Sequence, residues 1–442
     1  MKRRVAIISD HASPLAALGG ADAGGQNVYV ANVARQLAAA GWEADVFTRR
    51  DAPGQPEIFE WTNGVRVIHV RAGRDAFVRK EELLDLMPEF YARTIRFFRE
   101  RRYDLVHANF FLSGLVALGI KSETATPFAM TFHALGKVRR IHQNGADEFP
   151  DARFEIEERI AREADRIIAE CPQDALDLGA LYDAAPEKIA LAPCGFDPSE
   201  LYPVERAEAR RALGFGQHEK IVLQLGRMVP RKGVETVVRA AARLIRERGI
   251  SVKLVVVGGE SSEADERKTP EIGRLKRIAA ECGIAESVVF AGSRRRDELK
   301  FYYSAADVFA SVPWYEPFGI TPLEAMACGT PVVGARVGGI KYSVADGETG
   351  FLVAPRNPAE LAEKIAVLLE NEDLRRRFGA SGISRVGRHF TWRKVTAQII
   401  EIYEQILKEK QTRGGRQAEF IRWTGIAANS APPNAARIAG NE

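Results

Sequence analysis

Two carboxylates stand eight residues apart in the segment EPFGITPLE, which begins at Glu316 and ends at Glu324. Pro322, between them, suits the first turn of a helix, where its missing N–H group leaves no hydrogen bond unmade. We therefore predict a glycine-containing loop that leads into the N-terminus of a helix near Thr321. Such a terminus leaves backbone N–H groups without intrahelical partners. Here these are the N–H groups of Phe318, Gly319, Ile320 and Thr321.

A helix N-terminus of this kind attracts anions, and phosphate above all. Carboxylates accept hydrogen bonds from hydroxyl groups, so the two glutamates suit a ligand with sugar rings on both sides of a diphosphate. We predict a diphosphate over the helix end, with Glu316 on one ring and Glu324 on the other. The alternative is that both carboxylates lie on a solvated helix face, which is common at this spacing.

Two basic residues follow an apolar run in the segment LGRMVPRKG, residues 225–233. Arg227 and Lys232 leave a predicted strand end five residues apart, and Pro230 and Gly233 shape the turn around them. Both side chains can reach a diphosphate, arginine as a planar fork and lysine as a point charge. The alternative is a solvated basic turn.

A glycine-rich segment, GGADAGGQNVYV (residues 19–30), follows the first apolar run and opens a helical pattern. Glycine lets the backbone approach a ligand closely and the helix end favours phosphate, so Gly25 is a candidate contact. The neighbouring Gln26 is a candidate contact for a second substrate. The spacing G-x-G-x-x-G does not occur here, which argues against a dinucleotide cofactor. A flexible loop with a helix cap is the alternative.

Further candidates lie at the ends of other predicted strands. His133 in TFHALGKVRR can face a cleft, and His107 in LVHANFFLSG is a weaker candidate of the same kind. A structural role is the alternative for both histidines. In VFAGSRRRDEL, the main chain near Ser293 and Arg294 enters the same crevice and can take the edge of a base. The run of three arginines in this segment is expected to face solvent.

These residues need elements that bring strand ends together. Apolar runs alternate with helical patterns along the chain, which is the order of a parallel sheet covered on both faces. The first half contains the predicted strands 5–9, 44–48, 65–70, 105–109, 127–133, 166–170 and 188–193. The second half contains 220–226, 253–259, 288–292, 307–312, 330–335 and a short unit at 347–353. We predict α/β architecture with two doubly wound Rossmann-like domains that face across a ligand-binding cleft.

The predicted domains occupy residues 1–195 and 206–390, with the aperiodic junction CGFDPSELYPVERAEARR as a hinge. Three helical patterns are clear within the domains, at 27–40, 234–248 and 358–370. A further helix at 391–410 is expected to return to the first domain. The Gly-, Ala- and Pro-rich segment 411–442 is expected to be mostly disordered.

Composition bounds the class of protein. The chain has 442 residues, too many for one hydrophobic core, and its 46% hydrophobic content is ordinary for a soluble globular protein. A net charge of +4 is weak and does not argue for a nucleic-acid or membrane-surface partner, although a basic excess is compatible with a small polyanionic substrate. The four cysteines lack C-x-x-C spacing, so we expect neither a zinc site nor a redox motif. No apolar run approaches the roughly 20 residues of a transmembrane helix, and the short N-terminal run does not suit a signal peptide. We therefore predict a cytoplasmic protein.

With these motifs in this order, the chain resembles the retaining glycosyltransferases of the GT-B fold. It is most similar to the family that contains sucrose-phosphate synthase and the inositol-phosphate transferase of mycothiol synthesis. The resemblance rests on three segments: GGQNVYVANVARQLAAAGWEADVFTRRD, LGRMVPRKG and YEPFGITPLEAMACGTPVVGARVGG. It covers all of the chain except its C-terminal tail.

The resemblance implies roles for the four charged candidates. Glu316 would hold hydroxyls of the transferred sugar, and Glu324 would hold the nucleotide ribose. Arg227 and Lys232 would neutralise the diphosphate leaving group. Placed cations and N–H donors stabilise charge as it develops on such a group. The family retains anomeric configuration, and the arrangement implies neither a divalent metal nor a cofactor.

The resemblance also assigns the weaker candidates. Gly25 would lie in the loop that covers the diphosphate, and His133 would lie near the 6-hydroxyl of the donor sugar. The main chain of residues 318–321 would contact phosphate and sugar. In relatives with phosphorylated acceptors, a lysine in a K-E-E-L segment and an arginine on a later helix bind the phosphate. Lys80 in KEELLDLM and Arg153 in ARFEIEERI resemble these residues, with surface charge as the alternative.

The chain departs from its relatives at two acceptor positions. A tyrosine that some relatives carry is Phe110 here, and a threonine that follows the cleft histidine is Ala134. Both changes remove a hydroxyl, which argues against inositol phosphate as the acceptor. A sugar phosphate such as fructose 6-phosphate, or a different acceptor, stays open.

We predict a retaining hexosyltransferase that moves a hexosyl group from a nucleotide sugar, with UDP as the expected nucleotide, to an acceptor hydroxyl. A small phosphorylated sugar is the first acceptor to consider. The alternatives are a phosphorylase of similar fold that uses pyridoxal phosphate, and a non-catalytic nucleotide-sugar-binding protein. A Schiff-base absorption band would identify the phosphorylase, and tight donor binding without transfer would identify the binding protein. The donor base, the acceptor and the oligomeric state are left open.

Overall fold

The computed structural model describes residues 2–16, 24–143 and 147–429, with side chains as far as residue 412. The first part of the predicted glycine-rich segment, residues 19–23, lies outside the described residues. So does the end of the predicted disordered tail, residues 430–442.

The first domain alternates strands with helices, as the apolar runs predict. Its strands are β1 (Arg4–Ile8), β2 (Glu43–Arg49), β3 (Ile58–Thr62), β4 (Val65–Val70), β5 (Leu105–Asn109), β6 (Phe128–Thr131), β7 (Arg166–Ala169) and β8 (Ile189–Leu191). Its helices are α1 (Gly25–Ala39), α2 (Met87–Glu100), α3 (Phe111–Thr124), α4 (Gly136–Gln143), α5 (Ala152–Glu163) and α6 (Pro172–Tyr182).

The second domain repeats this plan. Its strands are β9 (Ile221–Leu225), β10 (Lys253–Val257), β11 (Val288–Gly292), β12 (Val308–Ser311), β13 (Val332–Ala335) and β14 (Gly350–Val353). Its helices are α7 (Arg206–Leu213), α8 (Val234–Arg248), α9 (Pro270–Glu281), α10 (Leu299–Ala305), α11 (Ile320–Ala327), α12 (Ile340–Ser343), α13 (Pro358–Glu370) and α14 (Glu372–His389). A last helix, α15 (Trp392–Asn429), follows.

The two sheets confirm the predicted pair of doubly wound Rossmann-like domains. The first sheet has the order β3-β4-β2-β1-β5-β6-β7-β8, and the second has the order β11-β10-β9-β12-β13-β14. Every pairing within the described sheets is parallel except that of β3 with β4. Helices cover both faces, so central strands such as β1 bury almost every side chain. The strand order reverses beside β1 and β9, where open α/β sheets bind ligands.

Three sequence predictions differ from the structure. The antiparallel strand β3 was not predicted, because most of its side chains are exposed and carry no apolar run. The hinge segment is not aperiodic throughout, since α7 begins within it at Arg206. The Glu205 carboxylate caps this helix by accepting hydrogen bonds from the N–H groups of Ala207 and Glu208, at 2.9 and 2.8 Å. The final helix continues past the predicted end at residue 410 to Asn429.

Helix α15 packs against α1 of the first domain. Its Tyr403 hydroxyl lies 2.7 Å from Nδ1 of His107, whose Nε2 lies 2.9 Å from the Thr131 hydroxyl. Burial, together with the charge of His133, lowers the pKa of His107 to about 3. His107 is therefore a neutral, fully buried histidine that docks the last helix, and its candidacy as a cleft residue was wrong.

The chain crosses between the domains twice, at the hinge and before α15. The two crossings run side by side, since the Phe196 N–H group donates to the Phe390 carbonyl at 2.9 Å. The Trp392 N–H group donates back to the Phe196 carbonyl at 3.1 Å. Within the described ranges, no helix is long and apolar enough to cross a membrane.

Candidate active site

The strand ends of both domains face each other and carry most of the predicted site residues. Arg227 follows β9 by two residues, and Glu316 follows β12 by five. In the first domain, His133 follows β6 by two residues. These residues therefore follow the carboxyl ends of parallel strands, where open α/β sheets bind ligands.

Lys232 and Glu316 form the centre of the donor side. The Lys232 ammonium group donates a hydrogen bond to Oε2 of Glu316, and their side chains are only 21% and 12% exposed. Arg231 adds a third cation that the sequence reasoning missed, with Nη1 at 3.9 Å from the same oxygen. This Nη1 atom is buried and has no hydrogen-bond partner among the described residues, so it is a donor available to an anion.

Gly233 makes the close turn behind Lys232 possible. Its φ angle is +71°, and a Cβ atom there would lie 2.0 Å from the carbonyl oxygen of Val312. Only glycine meets both conditions without strain. The turn after β9 can therefore approach the end of β12 closely enough to bring Lys232 to Glu316.

The charges of this cluster oppose the effect of burial. Burial, reinforced by the charges of Arg231 and Arg227, lowers the pKa of Lys232 to about 8 against the opposing charge of Glu316. Burial alone would raise the pKa of Glu316, but the three cations hold it below its ordinary value. The site therefore keeps the Glu316 carboxylate ionised next to three cations.

Helix α11 begins at Ile320, within one residue of the predicted position. Gly319 precedes it with a φ angle of +90°. Two glycines pack closely against the loop that precedes α11. A Cβ atom at the first of them, Gly338, would lie 1.7 Å from the Glu316 carbonyl oxygen. A Cβ atom at Gly339 would lie 2.4 Å from Cα of Phe318. The GG turn thus fixes the main chain of residues 316–318 and with it the approach to the helix N-terminus.

Glu324 is buried and has a partner for each oxygen. Nη1 of Arg296 donates to Oε1 at 2.8 Å, and the Tyr303 hydroxyl donates to Oε2 at 2.8 Å. Arg296 also pairs with Glu200 in the hinge segment, at 2.5 Å. A carboxylate has about four acceptor sites, so Glu324 can still accept from a ligand hydroxyl.

The arginine run at 294–296 only partly faces solvent, which corrects the sequence prediction. The Arg295 side chain is 81% exposed, as expected, whereas that of Arg296 is 20% exposed. Burial lowers the pKa of Arg296, but the charges of Glu324 and Glu200 reverse this effect and raise it above its ordinary value. Arg294 donates from Nε to the Tyr302 hydroxyl at 2.7 Å and from Nη1 to the Ser262 carbonyl at 2.7 Å.

The start of α1 brings the first domain to the donor residues. A Cβ atom at Gly24 would lie 3.7 Å from Nε of Arg227, and one at Gly25 would lie 3.6 Å from Cδ1 of Ile320. The predicted loop glycine, Gly25, therefore lies across the cleft from the start of α11. The adjacent Gln26 donates from Nε2 to the Ser9 hydroxyl at 3.2 Å and to the Asn109 carbonyl at 3.3 Å.

His133 is held between two side chains of its own domain. The Asn109 side-chain nitrogen donates to the Ile8 and His107 carbonyls, which turns its Oδ1 towards Nε2 of His133 at 3.0 Å. Nδ1 of His133 lies 2.9 Å from Oε1 of Glu170. Neither ring nitrogen can therefore bind a ligand without giving up a partner.

The two acceptor candidates lie in different surroundings. The Lys80 side chain is 17% exposed, and its Nζ lies 3.7 Å from Oε1 of Glu81. Arg153 is 1% exposed, so the alternative of surface charge was wrong for this residue. Its Nε donates to Glu157 at 2.7 Å, and its guanidinium lies 4.4 to 5.0 Å from three ring centroids, those of Phe149, Phe111 and Phe110. Nη1 of Arg153 has no partner among the described residues, and a role for either residue in acceptor binding stays a prediction.

The sequence analysis did not identify several polar residues that follow strands of the first domain. Asn109 and Glu170 could have been identified, because each lies at or just beyond the end of a strand, where open α/β sheets bind ligands. Asp10 follows from the same rule and accepts a hydrogen bond from the Ser113 hydroxyl at 2.5 Å. Among the described residues, no three His, Cys, Asp or Glu side chains are grouped to hold a metal ion.

Comparison with known proteins defines the class to which this fold and site belong. The description "Glycosyl transferase 4-like domain" matches residues 24–195, and "Glycosyl transferases group 1" matches residues 205–385. The D-inositol 3-phosphate glycosyltransferase of Actinosynnema mirum is 37% identical over 413 residues, which cover 91% of this chain and 97% of the relative. That of Corynebacterium diphtheriae is 34% identical over 412 residues, with 91% and 95% covered.

Solved structures agree with this class. Sucrose-phosphate synthase from Thermosynechococcus elongatus superposes with a TM-score of 0.85 at 34% identity, covering 92% of this chain and all of that one. Anabaena HepE in complex with UDP and glucose superposes with a TM-score of 0.72 at 21% identity, which shows a shared fold. The chain belongs to the GT-B glycosyltransferase family that includes sucrose-phosphate synthase and the D-inositol 3-phosphate glycosyltransferases.

Proposed function

We propose that this enzyme transfers a hexosyl group from a UDP-sugar to a hydroxyl group of a small sugar phosphate, with retention of anomeric configuration. The observation that carries the proposal is the convergence of Arg227, Arg231 and Lys232 with the N-terminus of α11 and with Glu316. Three cations and a helix terminus suit a diphosphate. The carboxylate beside them suits the hydroxyl groups of the attached sugar.

The proposed reaction follows from where charge develops. The bond between the anomeric carbon and the diphosphate oxygen breaks, and negative charge grows on the UDP leaving group. Arg227 and Lys232, with the N–H groups at the start of α11, stabilise that charge, so we propose that no divalent metal is needed. The acceptor hydroxyl attacks from the face that UDP leaves, and its proton passes to the departing phosphate oxygen.

A ribonucleotide donor is supported by the position of Glu324. It lies one turn inside α11, where it can accept from ribose hydroxyls while Arg296 and Tyr303 hold its two oxygens. Structural neighbours include complexes with UDP and with UDP-glucose, which supports the same donor here. Glucose is therefore the first hexose to test.

A phosphorylated acceptor is supported by Lys80 and Arg153, which lie in the first domain. The relatives named for their acceptors are D-inositol 3-phosphate glycosyltransferases, and a structural neighbour at 34% identity is named for sucrose phosphate. Phe110 and Ala134 lack the hydroxyls that some relatives carry at these positions, and the Phe110 ring instead packs on Arg153. We therefore propose a sugar phosphate such as fructose 6-phosphate rather than inositol phosphate.

The test is a matrix of nucleotide sugars against phosphorylated and unphosphorylated acceptors, with products read by mass. We expect a product only where UDP-glucose or a close analogue meets a sugar phosphate, with the α-configuration of the donor kept in the product's NMR couplings. Activity that persists in a chelator supports the metal-free mechanism. Transfer only to unphosphorylated acceptors would refute the acceptor, and inversion at the anomeric carbon would refute the stereochemistry.

A further inference from the structure

Tyr315, immediately before Glu316, is held between the two domains. Its ring stacks on that of His142 at the end of α4, with centroids 5.0 Å apart and planes 12° apart. The Gln143 side-chain amide donates to the Tyr315 hydroxyl. From the second domain, the Arg231 guanidinium lies 5.2 Å from the centre of the same ring. Tyr315 is 6% exposed, so the two domains together bury it.

Two other contacts of α4 lead to the partners of the residues predicted to bind an acceptor phosphate. At its start, the Gly136 N–H group donates at 2.9 Å to Glu157, the carboxylate that pairs with Arg153. In its middle, Arg139 lies 3.9 Å from Glu81, which lies 3.7 Å from Lys80. A single eight-residue helix therefore touches the partner of Arg153 at its start, the partner of Lys80 in its middle and Tyr315 at its end.

A shift of α4 would reach the donor side through Arg231. This arginine lies over the Tyr315 ring and also 3.9 Å from Oε2 of Glu316. The main chain of Glu316 cannot absorb such a shift freely, because Gly338 is packed against its carbonyl group. Movement of the Tyr315 ring is thus passed to the Glu316 side chain and its cation partners.

We propose that Tyr315 is a positioning residue that couples occupancy of the acceptor side of the cleft to the orientation of Glu316, with α4 as the connecting element. The identity of the ligands rests on the proposed function, whereas the coupling rests on the contacts of α4. An acceptor phosphate near Lys80 and Arg153 fixes α4, and α4 then fixes Tyr315 in its stack. Because coupling between two binding sites is reciprocal, UDP must also tighten acceptor binding.

The test compares UDP affinity, measured by calorimetry, with and without saturating fructose 6-phosphate, and then with inositol 3-phosphate as a second probe. In the unaltered enzyme we expect the sugar phosphate to tighten UDP binding. His142→Ala should reduce that tightening by about two- to tenfold, the worth of one aromatic stack, and leave UDP affinity without sugar phosphate nearly unchanged. His142→Phe restores a stacking ring and should restore the coupling. Ile141→Ala is the matched control, because this neighbour on α4 is 66% exposed.

Each outcome separates the coupling from the reaction. Full tightening in His142→Ala would overturn the inference, and so would an equal loss of UDP affinity with and without sugar phosphate. Absence of tightening in the unaltered enzyme with both probes would overturn it as well. Tightening that depends on His142 in an enzyme that transfers no hexose would support the inference and refute the proposed function.

Discussion

Lys232 provides the sharpest test of the donor site, because its charge can be removed by pH alone. With a pKa of about 8, the ammonium group is mostly charged at pH 7 and mostly neutral at pH 9. If UDP binds only the charged form, its affinity should fall about tenfold over that interval, or about 1.4 kcal/mol. The phosphates of UDP do not titrate in this range, since the second pKa of a phosphate group is about 6.

The assay is calorimetric titration with UDP at pH 7, 8 and 9 in buffers of different ionisation enthalpy. Binding should be accompanied by uptake of about half a proton at pH 8, where half of the free enzyme carries the charge. Lys232→Arg is the matched control, because arginine stays charged throughout, and its UDP affinity should hardly change with pH. A UDP affinity that is flat from pH 7 to 9 without proton uptake would refute the assignment.

The stability of the enzyme without UDP should rise with pH over the range in which its UDP affinity falls. The pKa of Lys232 is lower in the folded protein than its ordinary value of 10.5, so the unfolded chain binds more protons between these two values. The contribution of Lys232 to the free energy of unfolding therefore rises with pH from about 8 upwards. Weakened UDP binding at pH 9 without a fall in the melting temperature would exclude partial unfolding as its cause.

Four further outcomes are expected. Glu324→Ala should weaken UDP binding by about 1.5–3 kcal/mol by calorimetry, the worth of a hydrogen bond to a charged group, and an unchanged affinity would contradict a ribose contact. Gly338→Ala places a Cβ atom 1.7 Å from the Glu316 carbonyl, so kcat should collapse while the protein stays folded by circular dichroism; normal kcat would show that the loop can relax. Lys80→Ala should raise KM for a phosphorylated acceptor and leave KM for its unphosphorylated analogue unchanged, and an equal rise for both would argue against phosphate contact. Tyr403→Phe leaves Nδ1 of buried His107 without its hydrogen-bond partner, so urea denaturation should show a loss of about 1–3 kcal/mol at unchanged kcat, and an unchanged midpoint would contradict the docking role.

Most of the fold could be predicted because buried parallel strands have continuous apolar runs in the sequence. The strands at 65–70, 105–109 and 288–292 and the helices at 234–248 and 358–370 have the predicted bounds. The exposed edge strand β3 carries no such run. Its turn does carry a signal, since Asn63–Gly64 joins it to β4 and that pair is typical of a tight hairpin.

The site could be predicted as far as local sequence controls it. The start of α11 and the turn after β9 are set by nearby proline and glycine residues, so Glu316 and Lys232 were found together. Arg296 could not be separated from its solvent-facing neighbour Arg295 in a run of identical residues, because the difference lies in partners far away in the chain. The contact of Tyr315 with His142 joins residues 173 positions apart and depends on how the domains approach each other.

The paired crossings at Phe196 and Trp392 make the two lobes mechanically dependent on each other. Two adjacent, hydrogen-bonded segments of chain are expected to allow one domain to rotate about the line that they share and to resist twisting and sliding of the domains. The last helix, α15, covers α1 of the first domain, although it is synthesised only after the second domain. An N-terminal fragment that stops at the hinge would therefore expose the apolar side of α1, and the halves are expected to yield soluble protein only when produced as one chain.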